Sequence, residues 1–277
     1  MIKKVIFSKM VAAGNDFLVI GNVPCAAGSA TKSLVKKLCD RKYGVGADGV
    51  LLLEKSKRAD VKMRIFNADG SEADMCGNGA RCVALFKSPD CRQAGKAPRH
   101  RTHLTIETKA GIIESVVAGN EVKIKLTTPK DLKLNIPIKV NGRKIMVNFI
   151  NTGVPHTVVF VEALEIIDVE SIGRQIRYHN VFQPAGTNVN FVEVMCNHSI
   201  KVRTYERGVE AETLACGTGS TASALMYALK AGIKNPVKVV TKSQEVLTVY
   251  FSIAAAKLEN VWLQGQAQLV FKGELIM

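Results

Sequence analysis

Cys76-Gly77-Asn78-Gly79 opens a run of small and apolar residues that carries Ala84-Leu85, and Cys216-Gly217-Thr218-Gly219 opens another that carries Ala224-Leu225. The two copies stand in one register, 216 − 76 = 140 residues apart in a chain of 277. A polar, acidic stretch precedes each cysteine: Gly70-Ser71-Glu72-Ala73-Asp74 in the first copy, Gly208-Val209-Glu210-Ala211-Glu212 in the second. A Gly-rich turn ahead of a helical pattern marks a helix start, where the first backbone N–H groups have no intrahelical partner. A cysteine placed there sits among donors that favour its thiolate. Two such cysteines in two equivalent half-chains suggest a matched pair of acid–base groups. Inversion of a stereocentre needs such a pair, one group to take a proton from one face and the other to supply one to the opposite face.

Outward from these motifs the chain alternates β-rich stretches with few helices. Helical patterns cover residues 31–40, 78–87, 168–178 and 218–231; Asp168 is a suitable N-cap, and Gly232 with Pro236 beyond it is a suitable stop. Alternating or β-branched runs fill most of the remainder: 5–10, 17–20, 50–54, 61–66, 104–107, 112–117 and 122–126 in the first half, and 138–140, 144–150, 157–161, 189–195, 199–205, 237–240, 246–251, 261–264 and 267–271 in the second. The repeat continues past the cysteines: Thr108-Lys109 opens a strand pair after the first helix and Thr241-Lys242 after the second, 241 − 108 = 133 residues later. Asn141-Gly142 is a type I′ hairpin signal. The expected fold class is α/β (α+β), with two pseudo-symmetric lobes, each a sheet curled around one apolar helix. Thr128-Pro129 interrupts the strands and puts the boundary between residues 1–128 and 129–266.

Composition narrows the function classes. With 47% hydrophobic and 22% charged residues, the chain is an ordinary globular protein able to bury a core in each lobe. No run approaches the ~18 apolar residues of a membrane span, and the first nine residues read as an amphipathic strand rather than a signal peptide, so a cytoplasmic location is expected, with no membrane partner. The net charge of +14 is spread along the chain, with one modest cluster at residues 87–101; aromatic content is 6% and no nucleic-acid motif occurs. A solvated basic surface is therefore expected, and no nucleic-acid partner. None of the seven cysteines forms a C-x-x-C pair, so no metal is expected. Cys25, Cys39 and Cys196 read as buried thiols, and Cys82 as helix packing.

The residues also resemble a known family. Phe66-Asn67-Ala68-Asp69-Gly70-Ser71-Glu72 with Met75-Cys76-Gly77-Asn78-Gly79-Ala80-Arg81-Cys82 resembles the first active-site signature of the diaminopimelate epimerases. The stretch from Tyr205-Glu206-Arg207 to Ala215-Cys216-Gly217-Thr218-Gly219 resembles the second. The likeness extends to Gly14-Asn15-Asp16-Phe17, Gly44-Val45-Gly46-Ala47-Asp48-Gly49, Pro155-His156 and Gly186-Thr187-Asn188-Val189-Asn190-Phe191, in order along the whole chain.

The resemblance implies a cofactor-independent epimerase that interconverts L,L- and meso-diaminopimelate, a precursor of lysine and peptidoglycan. It also implies two lobes, each a barrel-like mixed sheet around a central helix, with the active site between them. A last strand, residues 267–277 around Leu269-Val270-Phe271, would return to the first lobe. Cys76 and Cys216 would be the catalytic bases and His156 and Glu206 would tune them. Asn15, Asn67, Gly77, Asn78, Asn188, Glu206, Arg207, Gly217 and Thr218 would bind substrate, with Arg207 on the distal carboxylate and Glu206 on the distal ammonium. Two positions depart from the usual pattern: Val154 stands where many members have Asn, and Gly49 where many have Gln.

Physical chemistry supports the same assignments. A free thiol with a pKa of about 8.5 is only a few per cent ionised at pH 7. A helix terminus supplies ~0.3–1 kcal/mol, less than one pKa unit at ~1.4 kcal/mol, so direct N–H donors and a polar partner must supply the rest. Two competing readings are a related cofactor-independent racemase, for example of histidine, and a basic binding protein on the same fold. Retention of both cysteines argues against the second, and the Asn67, Asn188, Glu206 and Arg207 set against the first. The sequence leaves the oligomeric state open, a homodimer included.

Overall fold

The computed structural model describes residues 4–21, 29–92, 101–196, 198–254 and 257–276. The chain divides into two compact units, residues 1–124 with 265–277, and residues 125–264.

The first unit contains strands β1 (Lys4–Ala12), β2 (Asn15–Gly21), β3 (Gly49–Glu54), β4 (Val61–Asn67), β5 (Glu72–Ala73), β6 (Thr102–Thr108), β7 (Gly111–Ala118) and β8 (Glu121–Lys125), with helices α1 (Ser29–Cys39) and α2 (Gly77–Lys87). The second contains β9 (Lys130–Val140), β10 (Arg143–Asn151), β11 (Pro155–Phe160), β12 (Asn188–Val194), β13 (Ser199–Glu206), β14 (Ala211–Thr213), β15 (Val237–Val240), β16 (Val246–Ala254) and β17 (Lys257–Gln266), with α3 (Val169–Arg177) and α4 (Gly217–Ala231). The last strand, β18 (Gln268–Ile276), holds Leu269-Val270-Phe271 and pairs antiparallel with β1 of the first unit.

The two units have the same topology. In the first, β1 pairs antiparallel with β2, β2 parallel with β3, β3 antiparallel with β4, and β4 antiparallel with β5 and parallel with β6; β6, β7 and β8 follow as an antiparallel meander. In the second, β10 to β16 repeat this sequence of senses, with β17 antiparallel to β16. The strand that flanks β10 is β9, and the strand that flanks β1 is β18, which comes from the far end of the chain.

Each sheet curls around one helix. α2 touches β1, β2, β4, β6, β7 and β18, and α4 touches β10, β11, β12, β13, β15 and β16. The small residues Ala80, Ala84, Ala222, Ala224 and Ala228 are 0–1% exposed and let the backbone pass close to the surrounding strands. α1 and α3 lie on the other face of their sheets. Val35 and Leu38 join Phe7, Leu18, Ile20 and Val50 in one core, while Val169 and Ile176 join Val147, Phe191 and Tyr205 in another.

Local signals act where the sequence places them. Asn141 (φ 49) and Gly142 (φ 75) both take the left-handed conformation of a type I′ turn between β9 and β10, and Gly232 (φ 64) ends α4. Side-chain alternation dates β9 only from Ile138, whereas its ladder to β10 reaches back to Lys130. Residues 130–135 are exposed on both faces, so backbone pairing rather than burial defines that stretch. Cys39 and Cys82 are buried as expected, but Cys196 is exposed, because it stands in the turn between β12 and β13. Cys25 and residues 93–100 of the basic cluster lie outside the described residues. Among the described residues no helix is long and apolar enough to cross a membrane.

Candidate active site

In the first unit the hairpin of β4 and β5 delivers the chain to α2. Asn67 closes the turn, its backbone N–H donating to Ser71 O at 2.9 Å and its Nδ2 to Ser71 Oγ at 3.0 Å. Cys76 is the N-cap of α2 in an extended conformation (φ −143, ψ 123), and its carbonyl accepts the first helical hydrogen bond from Ala80 N at 2.9 Å. Its Sγ accepts from Gly79 N at 3.5 Å, so the sulfur takes the place that a Ser or Asp oxygen fills in ordinary caps. Gly77, partly buried, is the first helical residue, and the buried Asn78 follows it.

Asn78 joins the helix start to Asn15 at the head of β2, its Nδ2 donating to Asn15 Oδ1 at 2.6 Å, while Arg81 donates to Asn78 Oδ1 at 2.8 Å. Asn15 Nδ2 donates in turn to Asp48 Oδ2 at 3.2 Å. Beside it, burial acts to raise the Asp16 carboxyl pKa, but hydrogen bonds from Arg41 and Lys9 outweigh burial and hold it well below the usual range. Gly49 answers one departure from the family pattern, since a Cβ there would fall 2.6 Å from Phe66 O and no side chain fits.

In the second unit β13 and β14 deliver the chain to α4 in the same way. Cys216 is the N-cap (φ −122, ψ 112), and its carbonyl accepts from Ser220 N at 2.8 Å. Its Sγ lies 3.5 Å from Thr218 Oγ1, so this sulfur meets a hydroxyl where Cys76 meets a backbone N–H. Gly217 and Thr218 are partly buried, and Thr218 O accepts from Thr152 Oγ1 at 3.1 Å. Val154, at the other departure, is partly buried, and its carbonyl accepts from Thr152 N at 3.2 Å.

Parallel pairing of β11 with β12 sets His156 opposite Asn188. Asn188 Nδ2 donates to Pro155 O at 3.1 Å and its Oδ1 accepts from Arg207 N at 2.8 Å, which brings Asn188 and the Glu206-Arg207 corner of β13 together. Arg207 Nη1 donates to Ala185 O at 2.9 Å. Burial, opposed by the Thr213 hydroxyl, pushes the Glu206 carboxyl pKa up.

His156 is fully buried, with Nδ1 3.1 Å from Asn190 Nδ2 and with Nε2 lacking a hydrogen-bond partner among the described residues. Burial, reinforced by the positive Arg207, pushes its pKa down to about 3, so the ring is neutral. Asn190 is a residue that the sequence reading passes over. Its amide meets His156, donates to Thr157 O at 3.1 Å and accepts from Thr204 Oγ1 at 3.0 Å. Its signals are its place in the Gly186-Thr187-Asn188-Val189-Asn190-Phe191 motif and its position two residues after Asn188 on one face of a strand. Among the described residues no group of three or more His, Cys, Asp or Glu side chains is arranged to hold a metal ion.

The family model described as diaminopimelate epimerase matches residues 7–131 and 148–270. A diaminopimelate epimerase of Aquifex aeolicus is 44% identical over 281 residues, covering 97% of either chain. One of Archaeoglobus fulgidus is 44% identical over 286 residues, covering 98% of this chain and 96% of the relative. Among solved structures, a Bacillus anthracis phenazine biosynthesis protein of the PhzF family superposes with a TM-score of 0.76 at 19% identity, covering 99% of this chain and all of that one. A hydroxyproline epimerase from Agrobacterium vitis, solved with bound trans-4-OH-L-proline, gives 0.69 at 17% identity, covering 99% and 92%. These structural likenesses concern the fold: two units of mixed sheet with few helices.

Proposed function

The chain belongs to the diaminopimelate epimerase family, and on that premise we propose that it interconverts L,L- and meso-diaminopimelate by passing the Cα proton between two cysteines, without a cofactor. The observation that carries this reading is the duplicated cap: Cys76 and Cys216 occupy the same position at the start of the central helix in two units of one topology. One acts as thiolate and takes the proton from one face of Cα; the other, still a thiol, supplies a proton to the opposite face. The pair therefore titrates as a coupled unit. Helix starts at Gly77-Asn78 and Gly217-Thr218 present backbone N–H groups suited to the carboxylate beside the developing carbanion.

Recognition of the distal head falls to Glu206 and Arg207. A partly buried carboxyl with a raised pKa is costly to ionise alone, and a substrate ammonium would restore its charge. Asn188 orients the Arg207 backbone, and Asn15, Asn67 and Asn78 add amide contacts. An amide nitrogen carries two hydrogens, so Asn15 and Asn188 each retain one donor beyond the bond already described. His156, being neutral, acts on its surroundings as an uncharged ring, and its hydrogen bond among the described residues goes to Asn190. The reaction belongs to lysine and peptidoglycan precursor synthesis in the cytoplasm.

Incubation with L,L-diaminopimelate in heavy water, with no added cofactor and chiral analysis of the products, tests the reading. Meso product carrying solvent deuterium at the inverted carbon is expected. Comparable turnover of histidine or alanine would replace it with a broader racemase, and binding without turnover would replace it with a binding protein.

A further inference from the structure

The cysteine caps share more than their helices. A glutamate stands four residues before each cysteine, Glu72 (76 − 72 = 4) and Glu212 (216 − 212 = 4). An arginine on the adjacent strand grips each carboxylate with a two-pronged fork: Arg64 Nε and Nη2 at 2.8 and 3.1 Å from Glu72, Arg203 Nε and Nη2 at 2.7 and 2.9 Å from Glu212. A lysine from the turn between β6 and β7, Lys109, reaches Glu72 at 3.4 Å, and Lys242 from the turn between β15 and β16 reaches Glu212 at 2.7 Å. The residue after each lysine then donates its backbone N–H to the carbonyl two residues before the cysteine: Ala110 to Asp74 O at 3.3 Å, Ser243 to Leu214 O at 3.0 Å.

Each cysteine is thus approached by a segment fastened at its fourth and second preceding residues to the same turn. Few backbone dihedrals remain between those anchors and the sulfur. The surroundings of the two forks differ. Arg64 also reaches Glu54 at 3.4 Å, while Arg203 Nη1 donates to Leu164 O and Ile167 O, both at 3.0 Å, and Glu212 N donates to Glu170 at 2.8 Å. The Arg–Glu–Lys set and the backbone hook are common to both units. The Glu72 and Glu212 side chains are 20% and 6% exposed, and a bidentate fork on each fixes its geometry.

We propose that Arg64–Glu72–Lys109 and Arg203–Glu212–Lys242 are positioning clamps that aim Cys76 and Cys216, an inference that rests on the two cysteines being the acid–base pair. A thiol displaced by a fraction of an ångström loses proton-transfer efficiency while binding stays intact. The clamps therefore act on kcat, and each acts on its own sulfur.

The test compares the full chain with Glu72→Gln and Glu212→Gln, which keep shape but remove the charge, and with Lys109→Met and Lys242→Met. The two lysine heads are 52% and 41% exposed, so the lysine variants stay folded even where a glutamate variant does not. For each, kcat and KM are measured, with the pH profile of iodoacetamide alkylation at Cys76 and Cys216 read by peptide mapping. The expected result is a fall in kcat of about tenfold with KM held within about twofold. The alkylation profile should move further at Cys76 than at Cys216 in the Glu72 and Lys109 variants, and further at Cys216 than at Cys76 in the Glu212 and Lys242 variants, the coupled partner following only in part. Unchanged kcat in folded variants, or profiles of the two cysteines moving by equal amounts in every variant, would overturn the clamps. Activity retained in Cys76→Ser or Cys216→Ser would instead remove the acid–base reading beneath them.

Discussion

Gly219 is packed against Asn190: a Cβ at this position would fall 2.2 Å from Asn190 Oδ1 and 3.3 Å from the Cβ of Cys216. The second glycine of the second cysteine motif therefore borders the buried amide that holds His156.

Its counterpart Gly79 faces methyl groups, Leu51 Cδ2 at 3.0 Å with Ile65 Cδ1 and Leu51 Cδ1 at 3.5 and 3.6 Å, so a Cβ there asks for a shift of only a few tenths of an ångström. Alanine in a helix gains about 1 kcal/mol over glycine, and overpacking costs about 1–3 kcal/mol. Gly219→Ala is therefore expected to destabilise by up to about 2 kcal/mol and to lower activity. Gly79→Ala should stay within about 1 kcal/mol of the parent. Urea unfolding of both variants checks the difference, and equal losses would contradict the packing asymmetry.

Cys76→Ser and Cys216→Ser should each lose epimerisation by at least about 10³-fold, because a hydroxyl does not ionise near neutral pH. Deuterium incorporation followed separately for L,L- and meso-substrate checks this. Near-normal turnover by either variant would refute two-base catalysis.

The neutral state of His156 has a consequence for stability. Its folded-state pKa of about 3 lies below the reference value of 6.5, so the unfolded chain takes up a proton that the folded state resists. This contribution is fully present above pH 6.5 and is lost as the pH falls towards 3. Between pH 7 and pH 5 the loss amounts to about 2 kcal/mol. Unfolding free energies of the parent and of His156→Gln at both pH values should show this extra loss in the parent alone.

Glu206 carries the opposite sign. Burial raises its folded-state pKa, so an ionised Glu206 costs stability at neutral pH, and the cost is relieved as the pH falls through the raised value. Glu206→Gln is expected to stabilise the empty protein while lowering kcat/KM by about 10² or more, since the distal ammonium loses its counter-charge. Thermal melts and steady-state kinetics on one preparation check both halves.

Much of this protein is local in origin and could be read from the chain itself. The Gly-rich turns that start α2 and α4, the Asn141-Gly142 hairpin and the Gly232 stop are dictated by which φ values and which unpaired N–H groups a few consecutive residues can supply. The 140-residue register of the cysteines likewise revealed the duplication before any strand was paired. The family signatures named Asn188, Glu206 and Arg207 together, and β12 and β13 bring them together.

Tertiary structure decided whatever depends on burial or on residues distant in sequence. Cys196 looked like a core thiol by its neighbours and is exposed, because a turn and not a strand interior holds it. Asn190 gains its role only when β11 and β12 align in parallel and set its amide beside His156, which a desolvated pocket then keeps neutral. Lys109 and Lys242 lie 37 and 30 residues beyond their glutamates (109 − 72 and 242 − 212), and only the return of the chain after each central helix brings them into reach. Sequence by itself determined where the two sulfurs stand along the chain, because a helix start is made by its own residues. What holds each sulfur in place, and which charges its neighbours keep, is decided by pairing across strands and by exclusion of water, and neither is a property of any short stretch of residues.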